Sequence, residues 1–307
     1  MLSVVIPAFN ESEMLLKSAE VINRVLKQNN ILCELVYVDD GSSDDTWNKI
    51  EEAAKRHPNV RGVKFSRNFG KEAAIMAGLT EAGGDCCAVI DCDLQHPPEK
   101  LVEMYRLWEQ GYEVIEGVKS DRGNEGALHR LFAKFFYFLV SKATGFDMQN
   151  MSDFKLLDRK VVDSILELHE KKAFFRATSS WVGFKTAKVE FEVQEREAGV
   201  SKWSTANLTK YAIRNITSFS AAPMQIVTVF GFVILAVSVV FSIISIIQKI
   251  SGVAVEGFTT VILLVAFSSS IIMISIGIVG YYISRIFDEV KNRPTYIVSE
   301  ICKEKEE

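Results

Sequence analysis

Cys86-Cys87-Ala88-Val89-Ile90-Asp91-Cys92-Asp93-Leu94-Gln95-His96-Pro97-Pro98 runs from unbroken apolar residues straight into two carboxylates and a pair of prolines. An apolar run without polar alternation is the pattern of a strand covered on both faces, as in a parallel sheet. Short, mostly apolar and β-branched runs also stand at residues 2–7, 35–38 and 60–65. Between these runs the spacing turns helical. Residues 12–28 place Leu15, Leu16, Ala19, Ile22, Val25 and Leu26 on one stripe, and residues 45–56 and 71–82 form the next two helices. Strands alternating with helices predict right-handed crossovers and a doubly wound α/β domain. Ligands bind such sheets beyond the carboxyl ends of the strands, where Asn10-Glu11, Asp39-Asp40-Gly41 and Asp91-Cys92-Asp93 all fall. Residues 101–110 and 128–142 read as further helices, and 188–193 alternates like a strand.

Charge is unevenly spread over the 307 residues: between Pro223 and Ser284 only Lys249 and Glu256 are charged. A formal net charge of -4, with no stripe of Lys and Arg, gives no electrostatic footprint for nucleic acid. The cysteines Cys33, Cys86, Cys87, Cys92 and Cys302 lack the paired spacing of a zinc site or a secreted disulfide framework, and read as reduced cytosolic thiols. The start of the chain reads as a strand rather than a signal peptide.

Residues 224–247 and 258–284 are free of charge until Arg285. A helix over either covers the roughly 30 Å hydrocarbon core of a bilayer. The short connection makes them a hairpin. Lys202, Lys210 and Arg214 precede it and Arg285, Lys291 and Arg293 follow it, against Lys249 alone between the spans, so the positive-inside bias puts both termini in the cytoplasm. Residues 203–222 carry Leu208, Tyr211, Ala212, Asn215, Ile216 and Phe219 on one stripe with Lys210 and Arg214 off it, the pattern of an interfacial amphipathic helix. The expected organisation is a catalytic domain over 1–202, the interfacial helix over 203–222, a transmembrane hairpin over 223–284 and a cytoplasmic tail over 285–307.

Asp91 and Asp93, in a short turn beyond a strand, suit a hard divalent cation that takes oxygen ligands and bridges a diphosphate. The bland reading of an Asp-X-Asp turn is a helix cap. His96 reads either as a partner of that metal site or as a residue at the helix entry. Asp39-Asp40-Gly41-Ser42-Ser43 offers carboxylates to a nucleobase or ribose, or simply a turn with a capping side chain. The glycines do not spell the dinucleotide fingerprint.

Taken in order, Val4-Val5-Ile6-Pro7-Ala8-Phe9-Asn10-Glu11, Val38-Asp39-Asp40-Gly41-Ser42, Arg67-Asn68-Phe69-Gly70-Lys71, Asp91 through Glu99, Asp153-Phe154, and Arg196 with Gly199-Val200-Ser201-Lys202-Trp203 resemble family-two glycosyltransferases of the GT-A fold. The closer resemblance is to the polyprenyl phosphate glycosyltransferases related to dolichol phosphate mannose synthase, in their bacterial membrane-embedded form. The resemblance covers nearly the whole chain. It implies metal-dependent, inverting transfer of a sugar from a nucleotide-sugar to undecaprenyl phosphate at the bacterial inner membrane, giving a lipid-linked monosaccharide for the cell envelope. UDP-glucose or UDP-N-acetylglucosamine is the expected donor, with GDP-mannose kept open.

The resemblance also implies roles. Pro7, Ala8, Asn10, Glu11 and Asp40 would hold the nucleoside, and Lys71 would approach the donor with Asp91. Asp91, Asp93 and Gln95 would surround Mg²⁺ or Mn²⁺, with Asp93 and Asp153 carrying catalysis. Asp153 stands where related sequences place a base, but the acceptor phosphate, with a second pKa of about 6, is already largely a dianion, so Asp153 is as well suited to orienting the reacting groups. Arg122, Arg130, Lys134, Arg196 and Lys202 supply the cations that an acceptor phosphate requires. Gly277 and Gly280 permit close helix packing between copies of the chain. A processive polysaccharide synthase would carry a Gln-X-X-Arg-Trp motif and further spans, neither of which is present. A nucleotide-sugar sensor would not need the intact acidic motif, and a transporter would need polar or broken spans.

Overall fold

The computed structural model describes residues 1–119, 152–168, 175–192, 222–251 and 257–302. The expected interfacial helix up to residue 221, the helix over 128–142, and Arg122, Arg130, Lys134, Arg196 and Lys202 lie outside the described residues. The chain divides into two compact units, one of Met1–Lys202 with Pro294–Glu307, the other Trp203–Arg293.

The first unit opens with the expected alternation: β1 (Leu2–Ala8), α1 (Leu15–Gln28), β2 (Cys33–Asp39), α2 (Thr46–Arg56), β3 (Val60–Phe65), α3 (Lys71–Glu81), β4 (Cys86–Val89) and α4 (Glu99–Glu109). It continues with β5 (Val114–Lys119), β6 (Lys155–Asp158), α5 (Arg159–Glu167), α6 (Phe175–Trp181) and β7 (Thr186–Phe191). These strands and a last one, β8 (Val298–Cys302), form a single sheet of order β7-β5-β6-β4-β1-β2-β3-β8. The centre, β4-β1-β2-β3, is parallel, as the unalternating apolar runs imply. The flanks are not: β6 runs antiparallel to both β4 and β5, and β8 antiparallel to β3. The sheet is therefore mixed.

Alternate residues of the central strands enter different cores. Leu2, Val4 and Ile6 pack with Leu35, Tyr37, Cys86 and Ala88 against Leu15, Ile22 and Leu26 of α1, Ile50 of α2 and Leu101 of α4. Val5, Cys87 and Val89 face the other way, onto Ile75 and Leu79 of α3, Val161 and Val162 of α5, and Phe175 of α6. Burial on both faces is why these strands show no polar alternation. A Cβ on Gly78 would stand 2.2 Å from Val5 Cγ1, so α3 approaches β1 at a distance that only glycine allows.

Within the stretch expected as a cytoplasmic tail, β8 pairs with β3. Lys64 pairs with Glu300 in register, their side chains joined at 2.7 Å, and Tyr296 stacks on Phe65 with ring centroids 5.0 Å apart.

The second unit contains α7 (Ala222–Ile250) and α8 (Phe258–Val290), which pack on one another. By length and composition, one helix among the described residues meets the requirement for crossing a membrane: the stretch Phe267–Ser284 of α8 has mean hydropathy 1.6 and no buried residue. Exposed Val229, Phe230, Phe232 and Val233 give α7 the same apolar surface.

Candidate active site

The carboxyl ends of β1, β2 and β4 lie side by side because these strands are neighbours and parallel. Pro7 and Ala8 end β1, and Asn10 follows in a left-handed conformation, φ 55°. The loop after β1 is knitted to the loop after β2. The Asn10 N–H donates to Ser42 Oγ at 3.0 Å, the Ser43 N–H to Asn10 Oδ1 at 2.9 Å, and the Glu11 N–H to Thr46 Oγ1 at 3.0 Å. Asn10 and Glu11, expected to hold the donor, thus lie in a loop fixed to its neighbour at the carboxyl end of the sheet.

Asp39 and Asp40 divide their work. Asp39 Oδ1 accepts the Ser42 N–H at 2.9 Å, and its Oδ2 is buried without a hydrogen-bond partner among the described residues. Asp40 directs both oxygens at the start of α3, accepting Phe69 N–H at 2.6 Å and Gly70 N–H at 2.9 Å. Burial pushes the Asp40 carboxyl above its ordinary range although these amides oppose it. In this arrangement Asp40 fixes the first turn of α3, and with it Lys71.

Lys71 joins two carboxylates. Its Nζ lies 2.6 Å from Asp91 Oδ1 and 2.9 Å from Asp153 Oδ2. Arg176, on α6, closes the chain with a fork on Asp153: Nε at 2.6 Å from Oδ1 and a terminal nitrogen at 2.8 Å from Oδ2. Four charges alternate in sign, Asp91, Lys71, Asp153, Arg176, drawn from two helices and from the segments after β4 and before β6. Burial works against the Asp153 carboxylate, but Lys71 and Arg176 outweigh it and hold the group far below the usual carboxylate range. Burial likewise works against Asp91, and Lys71 again prevails and lowers it. Lys71 is drawn down by burial and raised further by its two carboxylates, so it stays protonated. Glu72 accepts the Phe175 N–H at 3.0 Å, tying the start of α3 to α6. Burial, then the nearby Asp153 charge, lift Glu72 to about 7.

The metal-ligand set expected from the sequence falls at the end of β4. Asp93 Oδ1 accepts the Gln95 N–H at 3.1 Å across Leu94, whose φ of 56° is left-handed. Such a conformation costs an ordinary side chain about 1 kcal/mol or more and persists where surrounding structure over-determines it. Here Leu94 packs against the main core. Among the described residues no three His, Cys, Asp or Glu side chains converge as a closed cage. Two carboxylates fit a hard cation of the Mg²⁺ type, which is usually held by one or two carboxylates together with substrate phosphates. His96 is buried and stacked on Phe154 at 5.0 Å, with Nδ1 lacking a partner among the described residues. Burial lowers its pKa, so the ring is neutral.

The structure therefore brings Asn10, Glu11, Asp40, Lys71, Asp91, Asp93, Gln95 and Asp153 to the same end of the sheet. Sequence reasoning names neither Arg176 nor Glu72, because their partners lie 23 and 103 positions away.

Residues 3–181 match the family described as glycosyl transferase family 2. The SfII prophage-derived bactoprenol glucosyl transferase of Shigella flexneri is 37% identical over 299 residues, covering 97% of each chain. An uncharacterized glycosyltransferase of Bacillus subtilis (strain 168) is 36% identical over 298 residues, 96% of this chain and 92% of the relative. Among solved structures, glucosyl-3-phosphoglycerate synthase from Mycobacterium tuberculosis in complex with Mn²⁺ and UDP-glucose superposes with a TM-score of 0.50 at 20% identity, over 72% of this chain and 79% of that one. This last likeness is one of fold.

Proposed function

The chain belongs to glycosyl transferase family 2, and from that premise we propose that it transfers glucose from UDP-glucose to a polyprenyl phosphate at the cytoplasmic face of a bacterial inner membrane. The observation that carries this reading is the likeness to the bactoprenol glucosyl transferase, which runs over 299 residues, far past the family's matched region and through both long helices.

The membrane reading has a topological support. β7 and β8 flank the helical unit in sequence yet belong to one sheet, so a membrane crossed between them is crossed an even number of times. One crossing by α7 and one by α8 satisfies that count. The Lys and Arg residues outside the hairpin favour the cytoplasmic side for the sheet. The hairpin keeps a water-insoluble acceptor on the surface where the enzyme works, which raises its effective concentration.

In the proposed reaction the acceptor phosphate oxygen bonds to the anomeric carbon as the bond to the nucleoside diphosphate breaks, from opposite faces, so the configuration inverts. The loops of Pro7, Ala8, Asn10, Glu11 and Asp40 hold the nucleoside. Lys71 places a permanent positive charge beside Asp91, where the departing diphosphate gathers negative charge. Asp91, Asp93 and Gln95 would hold a divalent cation, Mn²⁺ or Mg²⁺, which when bound would supply further neutralisation of the leaving group. Asp153, ionised and gripped by Arg176 and Lys71, orients these cations rather than removing a proton. Arg122, Arg130, Lys134, Arg196 and Lys202 are assigned to the acceptor phosphate on the family resemblance.

The test is incubation of the detergent-purified chain with undecaprenyl phosphate, Mn²⁺ or Mg²⁺ and labelled UDP-glucose, UDP-N-acetylglucosamine or GDP-mannose, followed by organic extraction. Label extracted from UDP-glucose, lost with EDTA and restored by the metal, is the expected result. Extraction from another donor alone would overturn the glucose assignment, and no extraction from any donor would overturn the reaction. Transfer that is indifferent to EDTA would remove the metal.

A further inference from the structure

Lys155 opens β6, and its side chain is 0% exposed. Lysine is almost never fully buried unless paired, and here each ammonium proton finds an acceptor. Nζ lies 2.6 Å from Glu116 Oε1 on β5, 2.8 Å from Ser179 Oγ and 3.2 Å from the Arg176 carbonyl oxygen, both on α6, with Ser180 Oγ further off at 3.4 Å. The Ser180 hydroxyl in turn donates to Glu116 Oε1 at 3.0 Å. A buried cation thus pins a seven-residue helix to the sheet at the residue whose guanidinium forks onto Asp153.

The connections form a closed ring. Asp153 is joined through the backbone of Phe154 to Lys155, Lys155 holds the backbone of Arg176, and the Arg176 side chain returns to Asp153. Stability alone is a poor reason for such a pair, since replacing a buried ion pair by apolar groups of similar volume is often neutral or stabilising. What an apolar pair does not supply is direction: the Lys155 ammonium holds the Arg176 carbonyl at 3.2 Å and Ser179 Oγ at 2.8 Å, and so fixes where the Arg176 side chain begins. With both Asp153 oxygens so gripped, the orientation of Lys71 on the far side of Asp153 depends on the same ring.

We propose that Lys155, paired with Glu116, is a positioning residue for sugar transfer: it seats α6 so that Arg176 holds Asp153, and through it Lys71, in the reacting geometry. The inference rests on the reading of the Lys71–Asp153 region as the site of transfer.

The decisive variant is the full chain carrying Lys155→Met and Glu116→Leu together, which removes both charges and keeps the volume. Three quantities are read: the melting temperature in detergent, kcat and KM for UDP-glucose, and the ¹⁵N-edited Nε–H signal of Arg176, identified by its absence in Arg176→Lys. Melting close to the parent's is expected, with kcat lower by about 10- to 100-fold, as for a displacement of catalytic groups by an ångström or less. KM should stay within about twofold, because the nucleoside contacts are on other loops. The Arg176 Nε–H should lose its protection from solvent exchange. Parental kcat in the folded double variant, or an unchanged Arg176 signal, would overturn the proposal. Should the double variant fail to fold, Glu116→Gln weakens the pair without emptying the site, and unchanged kcat and Arg176 signal there would overturn it equally. If the parent transfers sugar to no lipid, the functional reading falls, while the arginine signal still decides whether Lys155 sets the grip on Asp153.

Discussion

Glu72→Gln should stabilise the chain above neutral pH and leave it unchanged in mild acid. Glu72 sits in the first turn of α3 and accepts the Phe175 N–H at 3.0 Å, a bond that a glutamine oxygen can keep. Burial, followed by the Asp153 charge, raises its pKa from 4.5 to about 7, against the opposing pull of the Phe175 amide, Arg176 and Lys71. A carboxyl whose pKa is raised on folding binds its proton more tightly in the folded state. Its contribution to stability is therefore complete below about 4.5 and is lost as the pH rises through about 7. At 1.36 kcal/mol per unit, the rise sets an upper limit of about 3 kcal/mol; with a partly buried side chain amid four interacting charges, about 1–3 kcal/mol is expected. For a domain of this size, 1 kcal/mol moves the melting temperature by about 2–4 °C. Melting followed by tryptophan fluorescence should show Glu72→Gln above the parent by roughly 3–10 °C at pH 8 and nearly level with it at about pH 4. A difference that does not vary between the two pH values, or a less stable variant at pH 8, would refute the reasoning, because only the ionised carboxylate carries the cost.

Three other substitutions test separate parts of the site and its support. Asp153→Asn removes a charge that two cations share, and should lower kcat by about 100-fold while the acid limb of the rate profile stays near pH 6, where the acceptor phosphate takes its second proton; a fall in kcat accompanied by loss of that limb would make Asp153 the base. Gly41→Ala places a methyl 2.3 Å from the backbone carbon of Arg67 at a φ of +67°, so a loss of about 1–3 kcal/mol in thermal unfolding, with weaker UDP binding by calorimetry, is expected. Tyr296→Ala removes the ring stacked on Phe65 and should cost about 1–2 kcal/mol, seen as faster hydrogen exchange in β8 than in β1.

What the sequence discloses follows from how each element is buried. The central strands and the helices between them are legible because burial on both faces leaves apolar runs that nothing else explains. β6 is not, since its four residues begin with a lysine, and only the partners Glu116, Ser179 and Arg176 make sense of a charge at that place. β8 escapes for another reason. An edge strand of five exposed or half-exposed residues after a long apolar helix has the composition of a tail, and its pairing with β3 spans more than two hundred positions. In the site, Asp91 and Asp93 are readable because carboxylates beyond a strand end match the chemistry, whereas Lys71 and Asp153 are legible only through the family resemblance. Glu72 is disguised as an ordinary first-turn acid that complements a helix dipole. Arg176 looks like any surface arginine until its partner is known.

The charge arrangement bears on what the site can accept. A hydroxyl acceptor must lose a proton on attack, and a useful base has a pKa near the working pH. Asp153 is held far below that range, and both its oxygens are engaged by Arg176 and Lys71. A phosphate acceptor asks for no such base: it arrives ionised, and what it lacks is compensation for bringing two negative charges toward a diphosphate. Asp91, Lys71, Asp153 and Arg176 sum to zero, so they do not provide that compensation themselves; they hold the cations rigidly and leave additional positive charge to be supplied from elsewhere. The residues assigned to that task, Arg122, Arg130, Lys134, Arg196 and Lys202, include three that can fork onto phosphate oxygens. Asp153 is thus unsuited to act as the base, and the proposed phosphate acceptor, which carries its own nucleophilic charge, is to be met by a second group of cations.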